Sequence, residues 1–518
     1  MQNVHRAYLL VLLGLVQLLL SPAGFANGAA EVRFSVSAFN VEGENPLSAE
    51  ATQRIVSPFA GSAVTIDRLQ AAAAALESDL KRRGHAFLRV VVPPQDVGDV
   101  VTLRVLAFRL GTVAVRGNEN FTEGNVRASL PALRPGQPPN LTEVARDQAL
   151  ANEHPARQVT VTMRQGVKPD TVDADIAVRD VNPLRVFGSL GNTGTGSTGD
   201  WRLSVGVQQS NLFDRDHALT ASYTSSPGHW REVAQYGLFY SVPFYGMGGA
   251  LSAFYSYSDV NSGTIANVFQ VSGRGQFAGL RWKQYFSAVG AFSHHLEVGI
   301  EDRHFVNDVS FVGVPIGTNA RSRPFAVSYA GKLDYAGGQI RGSVEYARNL
   351  GSGGDNTDAA YLANRAGARR DWSAWRLALD AQQALGHWTA SLRMRGQLAG
   401  APLLPGEQFG FGGASGVRGL REREVTGDLG VLASAEMLSP ALAEGLRAVV
   451  FLDAGSTRLR QPVAGQSGRV GAASAGVGFR WAPRPGLALS LDYARVLDGA
   501  VVTAAGGDRL HFSLAMQF

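Results

Sequence analysis

Residues 407–430 run Glu407-Gln408-Phe409-Gly410-Phe411-Gly412-Gly413-Ala414-Ser415-Gly416-Val417-Arg418-Gly419-Leu420-Arg421-Glu422-Arg423-Glu424-Val425-Thr426-Gly427-Asp428-Leu429-Gly430. Five glycines crowd the part before Leu420, from Gly410 to Gly419, which speaks against a helix or a regular strand there. The stretch is also too long for a tight turn, and long segments without secondary structure are functional or disordered. Phe409, Phe411, Val417 and Leu420 argue against disorder, since disordered segments rarely carry so much apolar surface. The reading is a loop that packs against something, with Arg418 set between Val417 and Gly419.

What it packs against follows from the flanking sequence. On one side Trp388, Ala390, Leu392, Met394 and Leu398 alternate with Thr389, Ser391, Arg393, Arg395 and Gln397. Further on, Leu487, Leu489, Leu491 and Tyr493 alternate with Ala488, Ser490, Asp492 and Ala494, and the chain closes on Leu510, Phe512, Leu514, Met516 and Phe518. Alternation with period two is a strand with two unlike faces. From Leu184 onward such strands repeat at about ten residues each, the pattern of a transmembrane barrel with an apolar outside and a polar lumen. A soluble sandwich also alternates; the leader described below, the low charge content and the terminal Phe518 favour the barrel. Connections alternate in length too. Leu385–His387, Ser439–Gly445 and Ala482–Gly486 are short, whereas Ala399–Asp428, Ser456–Val470 and Leu497–Asp508 are long. Short turns face the periplasm in such barrels and long loops face outside, so loop 399–428 belongs to the outer side.

Before the barrel, helix and strand signals mix. Val32–Val41 reads as a strand, Ile66–Arg83 as a helix stopped by Gly84, and Phe87–Val92 and Val100–Ala107 as strands parted by Pro93-Pro94-Gln95-Asp96. A second round follows: strand Gly111–Gly117, helices Thr122–Leu130 and Asn140–Ala151 with Asn140 as N-cap, and strands Val159–Arg164 and Thr171–Arg179. Two β-α-α-β-β units of similar length are expected, at 31–109 and 110–182, followed by the barrel at 184–518. The N-terminus has His5 and Arg6, an apolar run from Tyr8 to Leu20, then Ser21-Pro22-Ala23-Gly24-Phe25-Ala26. That is a secretory leader over 1–26, cut after Ala26; the run is short for a membrane anchor. Few residues separate Ala26 from the first strand, so a helix of the roughly 20 residues needed to cross a barrel is not expected there.

Composition limits the chemistry. Cysteine is absent, which excludes disulfides and thiolate ligands or nucleophiles. The net charge of +5 comes without a dense basic stripe, so nucleic acid is not an expected partner. Gly194-Thr195-Gly196-Ser197-Thr198-Gly199 fits G-x-G-x-x-G, but a strand-like run from Trp201 follows it where a dinucleotide site needs a helix; it reads as a barrel turn. His294, His295, Glu301 and His304 do not have a spacing that gathers metal ligands, and no nucleophile–base arrangement stands out. Neither a cofactor nor an enzyme activity is expected.

Two stretches then tie the chain to a family. Leu404–Phe409 continuing through Val417-Arg418-Gly419-Leu420 resembles the sixth-loop signature of two-partner secretion translocators, the haemolysin-activator and filamentous-haemagglutinin exporters of the outer-membrane assembly superfamily. That signature commonly ends in an aromatic, where this chain has Leu420. Phe451-Leu452-Asp453-Ala454-Gly455 resembles the family's F-x-D-x-G strand, and Pro93-Pro94-Gln95-Asp96 and Asn152-Glu153-His154-Pro155 resemble motifs of its polypeptide-transport-associated (POTRA) domains. The resemblance covers the mature chain in order. It implies a barrel of about sixteen strands behind two periplasmic POTRA domains, with the loop tucked into the lumen. It also implies that Arg418 pairs with Asp453, and that Phe451, Asp453 and Gly455 all face inward. Taken alone, Asp453 could be a hydrated lumen carboxylate and Arg418 a solvated loop charge; the second motif favours the pair, for which a guanidinium is the best fork.

The function implied is an outer-membrane pore that recognises a large unfolded exoprotein at the POTRA domains and exports it through the lumen as the loop moves aside. The functional residues would be Val417, Arg418, Gly419 and Leu420 in the loop, Phe451, Asp453 and Gly455 on the wall, and Pro93, Pro94, Gln95, Asn152 and Pro155 in the POTRA units. Expected partners are the cargo, outer-membrane lipid, and the barrel assembly machinery at the terminal strand ending in Phe518. A barrel-assembly factor of the same superfamily is one alternative, although such factors usually carry more POTRA units. A general diffusion porin is another, although it would have no use for residues 31–182.

Overall fold

Strands whose side chains alternate between two solvents close into a barrel because closure leaves no unpaired edge in lipid. The computed structural model describes residues 32–96, 98–194, 198–259, 263–265, 269–271, 274–307, 310–311, 314–315 and 318–518, so the leader read at 1–26 and residues 195–197 of the G-x-G-x-x-G run lie outside the described residues. The chain divides into two compact units, one ending at Phe108 and one beginning at Arg109.

In the first unit β1 (Ala38–Gly43), α1 (Ala49–Val56), α2 (Ile66–Arg82), β2 (Leu88–Val91) and β3 (Val100–Ala107) form a three-stranded sheet in the order β1-β3-β2 with two helices. Leu69, Ala72, Ala73, Leu76 and Leu80 recur on one face of α2 and pack on Leu88, Val90, Val101, Leu103 and Val105. Thr65 caps α2 by accepting from Arg68 N, and Gly84 at φ +90° ends it. The strand read over Val32–Val41 is broken in two, Phe34–Val36 pairing antiparallel with Gly61–Val64 and the rest forming β1, and α1 is the expected second helix that the sequence did not locate.

The second unit begins with the same motif: β4 (Arg109–Arg116), α3 (Glu123–Ala128), α4 (Leu141–Ala151), β5 (Arg157–Gln165) and β6 (Thr171–Asp180), with β4 parallel and β5 antiparallel to β6. Asn140 caps α4, accepting from Thr142 N and Glu143 N. The barrel follows in the same unit. Its first eight strands are β7 (Leu184–Gly191), β8 (Arg202–Leu212), β9 (His217–Ser225), β10 (Gln235–Phe244), β11 (Gly249–Ser258), β12 (Gly275–Tyr285), β13 (Phe292–Phe305) and β14 (Ala320–Ser322 continuing as Pro324–Tyr335). The other eight are β15 (Gly338–Asn349), β16 (Ser373–Leu385), β17 (Trp388–Ala399), β18 (Leu429–Leu438), β19 (Leu446–Arg458), β20 (Arg469–Arg484), β21 (Leu487–Asp498) and β22 (Asp508–Gln517). All sixteen run antiparallel, and β22 closes on β7 from Ser513↔Gly191 to Gln517↔Phe187. Phe518 extends that seam through Phe518 N to Val186 O at 2.8 Å.

Side-chain parity follows the sequence pattern. Trp388, Leu392, Met394 and Leu398 are exposed on the outside, while Arg393 and Arg395 turn inward to Asp380. Turns such as 213–216, 336–337, 386–387 and 485–486 lie at the end of the barrel that carries the N-terminal motif. The long connections that follow β7, β9, β11, β13, β15, β17, β19 and β21 leave from the other end, so the glycine-rich loop, 400–428, is the sixth of them. The loop expected over 456–470 is shorter than read, because β19 and β20 stay paired up to Arg458↔Arg469.

Candidate functional site

The sixth long loop is less irregular than its glycines suggest. Phe409–Phe411 pairs with Val425–Gly427, a two-stranded stem that carries the tip at 412–424. At the tip Gly412, Gly413 and Gly419 take positive φ, and a Cβ on Gly416 would come within 2.5 Å of the Gly412 backbone. Position 416 therefore has no room for a side chain, and the other three favour glycine through their positive φ. Val417 and Leu420 are fully buried and pack with Phe411, Val425, Leu432, Ala472 and Val496, joining the tip to β18, β20 and β21.

Arg418 is 3% exposed and Asp453, on β19, is 0% exposed. The guanidinium grips that carboxylate with two bonds, Nε to Oδ2 at 2.7 Å and Nη2 to Oδ1 at 2.7 Å, and Arg418 N adds a third at 3.1 Å. Charge-assisted two-point pairing of this kind is about twice as strong as a neutral hydrogen bond. The wall motif is explained residue by residue. The Phe451 ring lies 3.4 Å from Arg418 Cζ, a cation–π contact. Asp453 supplies the charge. Gly455 leaves room for the Phe411 ring, which a Cβ there would meet at 3.0 Å. All three face the lumen.

The structure also assembles partners that the sequence reading did not name. Arg418 Nη1 donates to Glu436 at 2.6 Å and to Asp492 at 3.4 Å, and Nη2 donates to Ser434 Oγ at 3.2 Å. Ser434 in turn donates to Asp453 Oδ1 at 2.6 Å. Arg480 takes Asp492 with bonds of 2.5 and 3.0 Å. His511 Nε2 accepts from Gly419 N at 3.0 Å, which puts the ring proton on Nδ1. Two guanidiniums therefore serve three carboxylates from β18, β19 and β21, a group with one negative charge to spare. A polar cavity of about 290 Å³, lined by Arg341, Asp380, Arg393, Ser434 and Glu436 among others, opens beside it in the lumen. Asp492 had the inward parity in the sequence, and Glu436 stands out as the one charge in Leu429–Leu438; either signal could have flagged them.

Two further anchors hold the base of the loop. Glu407 is buried and accepts from Arg303 Nη1 at 2.6 Å and Arg376 Nη2 at 3.2 Å, on the β13 and β16 side of the wall. Arg303 and Arg281 also share Glu301, which links them into an ion-pair chain. Asp428, fully buried, accepts from both Nη atoms of Arg365, from Leu403 N at 2.9 Å and from Arg460 N at 2.6 Å. Arg365 follows α5 (Asp358–Asn364) of the fifth long connection, and Arg460 belongs to the seventh, so one carboxylate joins three loops.

The POTRA-type residues fall into two groups. Pro93 and Pro94 follow β2, where a missing N–H ends pairing, and Gln95 bridges to β3 through Thr102 O at 2.7 Å and Thr102 N at 2.8 Å. Asn152 and Pro155 sit where the second motif meets the barrel. Asn152 holds Val159 N at 2.6 Å, and Pro155 O accepts from Arg185 on β7 at 2.8 Å. Between them His154 Nε2 donates to Ser210 O on β8 at 2.6 Å while Nδ1 accepts from Ala156 N. The neutral ring is the form both contacts require, and burial pushes its pKa down. Beside it Asp216 accepts from Arg157 Nη2 at 2.7 Å, Tyr245 Oη at 2.5 Å and Asn125 Nδ2 at 2.9 Å. Asp216 closes a turn in which Phe213, Asp214 and Asp216 all take positive φ. Such backbone is costly for residues other than glycine and persists where its surroundings fix it.

Residues 171–481 match the haemolysin secretion/activation protein family ShlB/FhaC/HecB, and residues 34–107 match the ShlB-type POTRA domain. The outer membrane transporter CdiB of Dickeya dadantii (strain 3937) is 25% identical over 360 residues, which is 67% of this chain and 62% of that protein, so the match spans less than two thirds of the relative. Among solved structures, CdiB from Escherichia coli superposes with a TM-score of 0.74 at 20% identity, covering 96% of this chain and 93% of the other. CdiB from Acinetobacter baumannii gives 0.69 at 17%, covering 94% and 90%. At these identities the likeness speaks for the fold. Barrel and family together place the protein in the outer membrane, with its POTRA domains on the periplasmic side. With the family match covering more than half of its residues, the chain belongs to the haemolysin secretion/activation proteins of the ShlB/FhaC/HecB type.

Proposed function

We propose that the protein exports one large partner exoprotein, unfolded, through its barrel, and that the sixth loop is the gate. The observation that carries the reading is the buried Arg418 tip. A guanidinium held by three wall carboxylates inside a lumen is a plug with a defined seat. Its ionic bonds can exchange for water when the loop lifts, and the lumenal arginines and carboxylates along β15 to β18 offer a polar path in its place. The periplasmic units supply strand edges to which an extended cargo segment can add. Transport of this kind uses no chemistry on the cargo, and no catalytic role is assigned to any residue. We assign Phe518 and the terminal strand to recognition by the barrel assembly machinery, since that strand seals the seam.

The test removes residues 31–182 and expresses the remaining barrel beside a candidate exoprotein that the full-length chain releases. The barrel should still reach the outer membrane, because its closing strands are untouched, while release of the exoprotein should stop. Undiminished release by the truncated protein would contradict the reading.

A further inference from the structure

We propose that Arg458 and Arg469 hold the phosphate groups of an outer-leaflet glycolipid against the outside of β19 and β20. The two residues are direct partners across the strands. Both are exposed and both point outward, since Asp453 and Thr457 on β19 and Ala472 and Ser474 on β20 occupy the buried inward positions. Like charges directly opposite each other on neighbouring strands repel. Among the described residues the pair has no carboxylate partner; Arg469 Nε gives a single neutral bond to Ser456 Oγ at 3.2 Å. An anion from outside the protein is what the arrangement lacks.

Position names its source. The Arg458↔Arg469 row lies twelve residues above the Leu446↔Trp481 row, next to the short-turn end. At about 3.3 Å per residue and a strand tilt of about 40°, twelve residues lift the pair by roughly 30 Å. The apolar band of an outer-membrane barrel is about 25 Å tall, so the arginines stand just above it, level with outer-leaflet headgroups. Directly beneath them the outward side chains are small: Ser456 and Ala454 on β19 and Gly471 and Ala473 on β20, with Leu452 opposite Ala475 in the next row and Val477 below. A shallow apolar strip under a pair of phosphate-binding forks suits a lipid whose acyl chains lie on the strip. A free phosphate would use only the upper half. Guanidinium binds phosphate in two-point fashion, and two arginines match a headgroup with two phosphates.

The experiment places full-length protein in phosphatidylcholine nanodiscs doped with diphosphoryl lipid A and counts lipid A retained per barrel by native mass spectrometry. At about 1 kcal/mol for each basic residue at a charged lipid surface, R458Q/R469Q should bind roughly 30-fold more weakly. Arg447→Gln, at the opposite end of β19, should bind like the parent, and millimolar inorganic phosphate should not displace the lipid. Heat-modifiable mobility on gels reports that each variant keeps its barrel. Equal retention by the parent and R458Q/R469Q overturns the proposal, as does displacement by inorganic phosphate.

Discussion

Arg418→Ala withdraws one cation from a site built around it. The variant loses two 2.7 Å bonds to Asp453 and one 2.6 Å bond to Glu436, and it leaves Asp453, wholly buried, with only Ser434 and the backbone N–H of residue 418. Breaking one side of a buried ion pair costs about 3–5 kcal/mol. Glu436 is partly wetted and Arg480 still serves Asp492, so the lower half of that range applies. A loss of about 3 kcal/mol in loop seating raises the unseated population by roughly 100-fold at 1.4 kcal/mol per decade. Asp453→Ala should be milder, because Arg418 keeps Glu436 and Asp492; a loss of about 2 kcal/mol and roughly 30-fold is expected from the charge-assisted bonds removed. The charge swap Arg418→Asp with Asp453→Arg, which direct pairing alone would favour, should recover little. Position 418 stays beside Glu436 and Asp492, so an aspartate there sets a carboxylate against those two where the parent has a guanidinium. Planar-bilayer recordings of each purified variant give open-state occupancy, and cargo released per inserted barrel gives function. If Arg418→Ala gates and secretes like the parent while inserting normally, the loop is not held by this pair and the reasoning fails.

Three further outcomes follow from the same geometry. Gly455→Leu should push Phe411 off the wall at a cost of about 1–3 kcal/mol for overpacking and raise conductance events without lowering the amount of folded barrel. Asp216→Ala should leave Arg157 buried without its carboxylate and loosen the second POTRA motif from the barrel, read as faster amide exchange over 121–157; unchanged exchange there would count against the junction. His154 has a lowered pKa in the fold, so its contribution is complete above its ordinary value near 6.5 and fades as pH falls from there through the depressed one. Limited proteolysis of the same region should quicken in that acid window, and His154→Gln should flatten the dependence.

Period-two alternation and the alternation of connection lengths made the barrel legible, because both are local and each strand repeats them. The Leu69–Leu80 face made α2 legible for the same reason. Helix α1 escaped because Ala49–Val56 is two turns long and ends in β-branched residues, and its packing on α2 supplies what propensity does not. The stem of the sixth loop escaped because three-residue strands joined across thirteen residues have no period to read. In the site, Arg418 and Asp453 were found through paired motifs. Glu436, Asp492 and His511 come from strands 18 to 93 residues away from the arginine, and only barrel register brings them together. The left-handed turn at Phe213–Asp216 carries no glycine, so its strain left no mark in the sequence.

The central claim is that cargo passes only when the loop leaves its seat. A Cβ built on Gly419 lies 3.6 Å from Ala494 Cβ, within the span of a disulfide, and the chain has no cysteine of its own to interfere. Gly419→Cys with Ala494→Cys, combined with Val496→Ala to clear the Cγ2 that a Cβ at position 419 would meet at 2.8 Å, therefore gives a bond that locks the tip to β21 when oxidised and frees it when reduced. The measurement is cargo released per inserted barrel before and after reduction of the same cells. Secretion that is blocked in the oxidised form and returns on reduction is the predicted result; equal secretion in both forms, with the disulfide verified by mass, would contradict it.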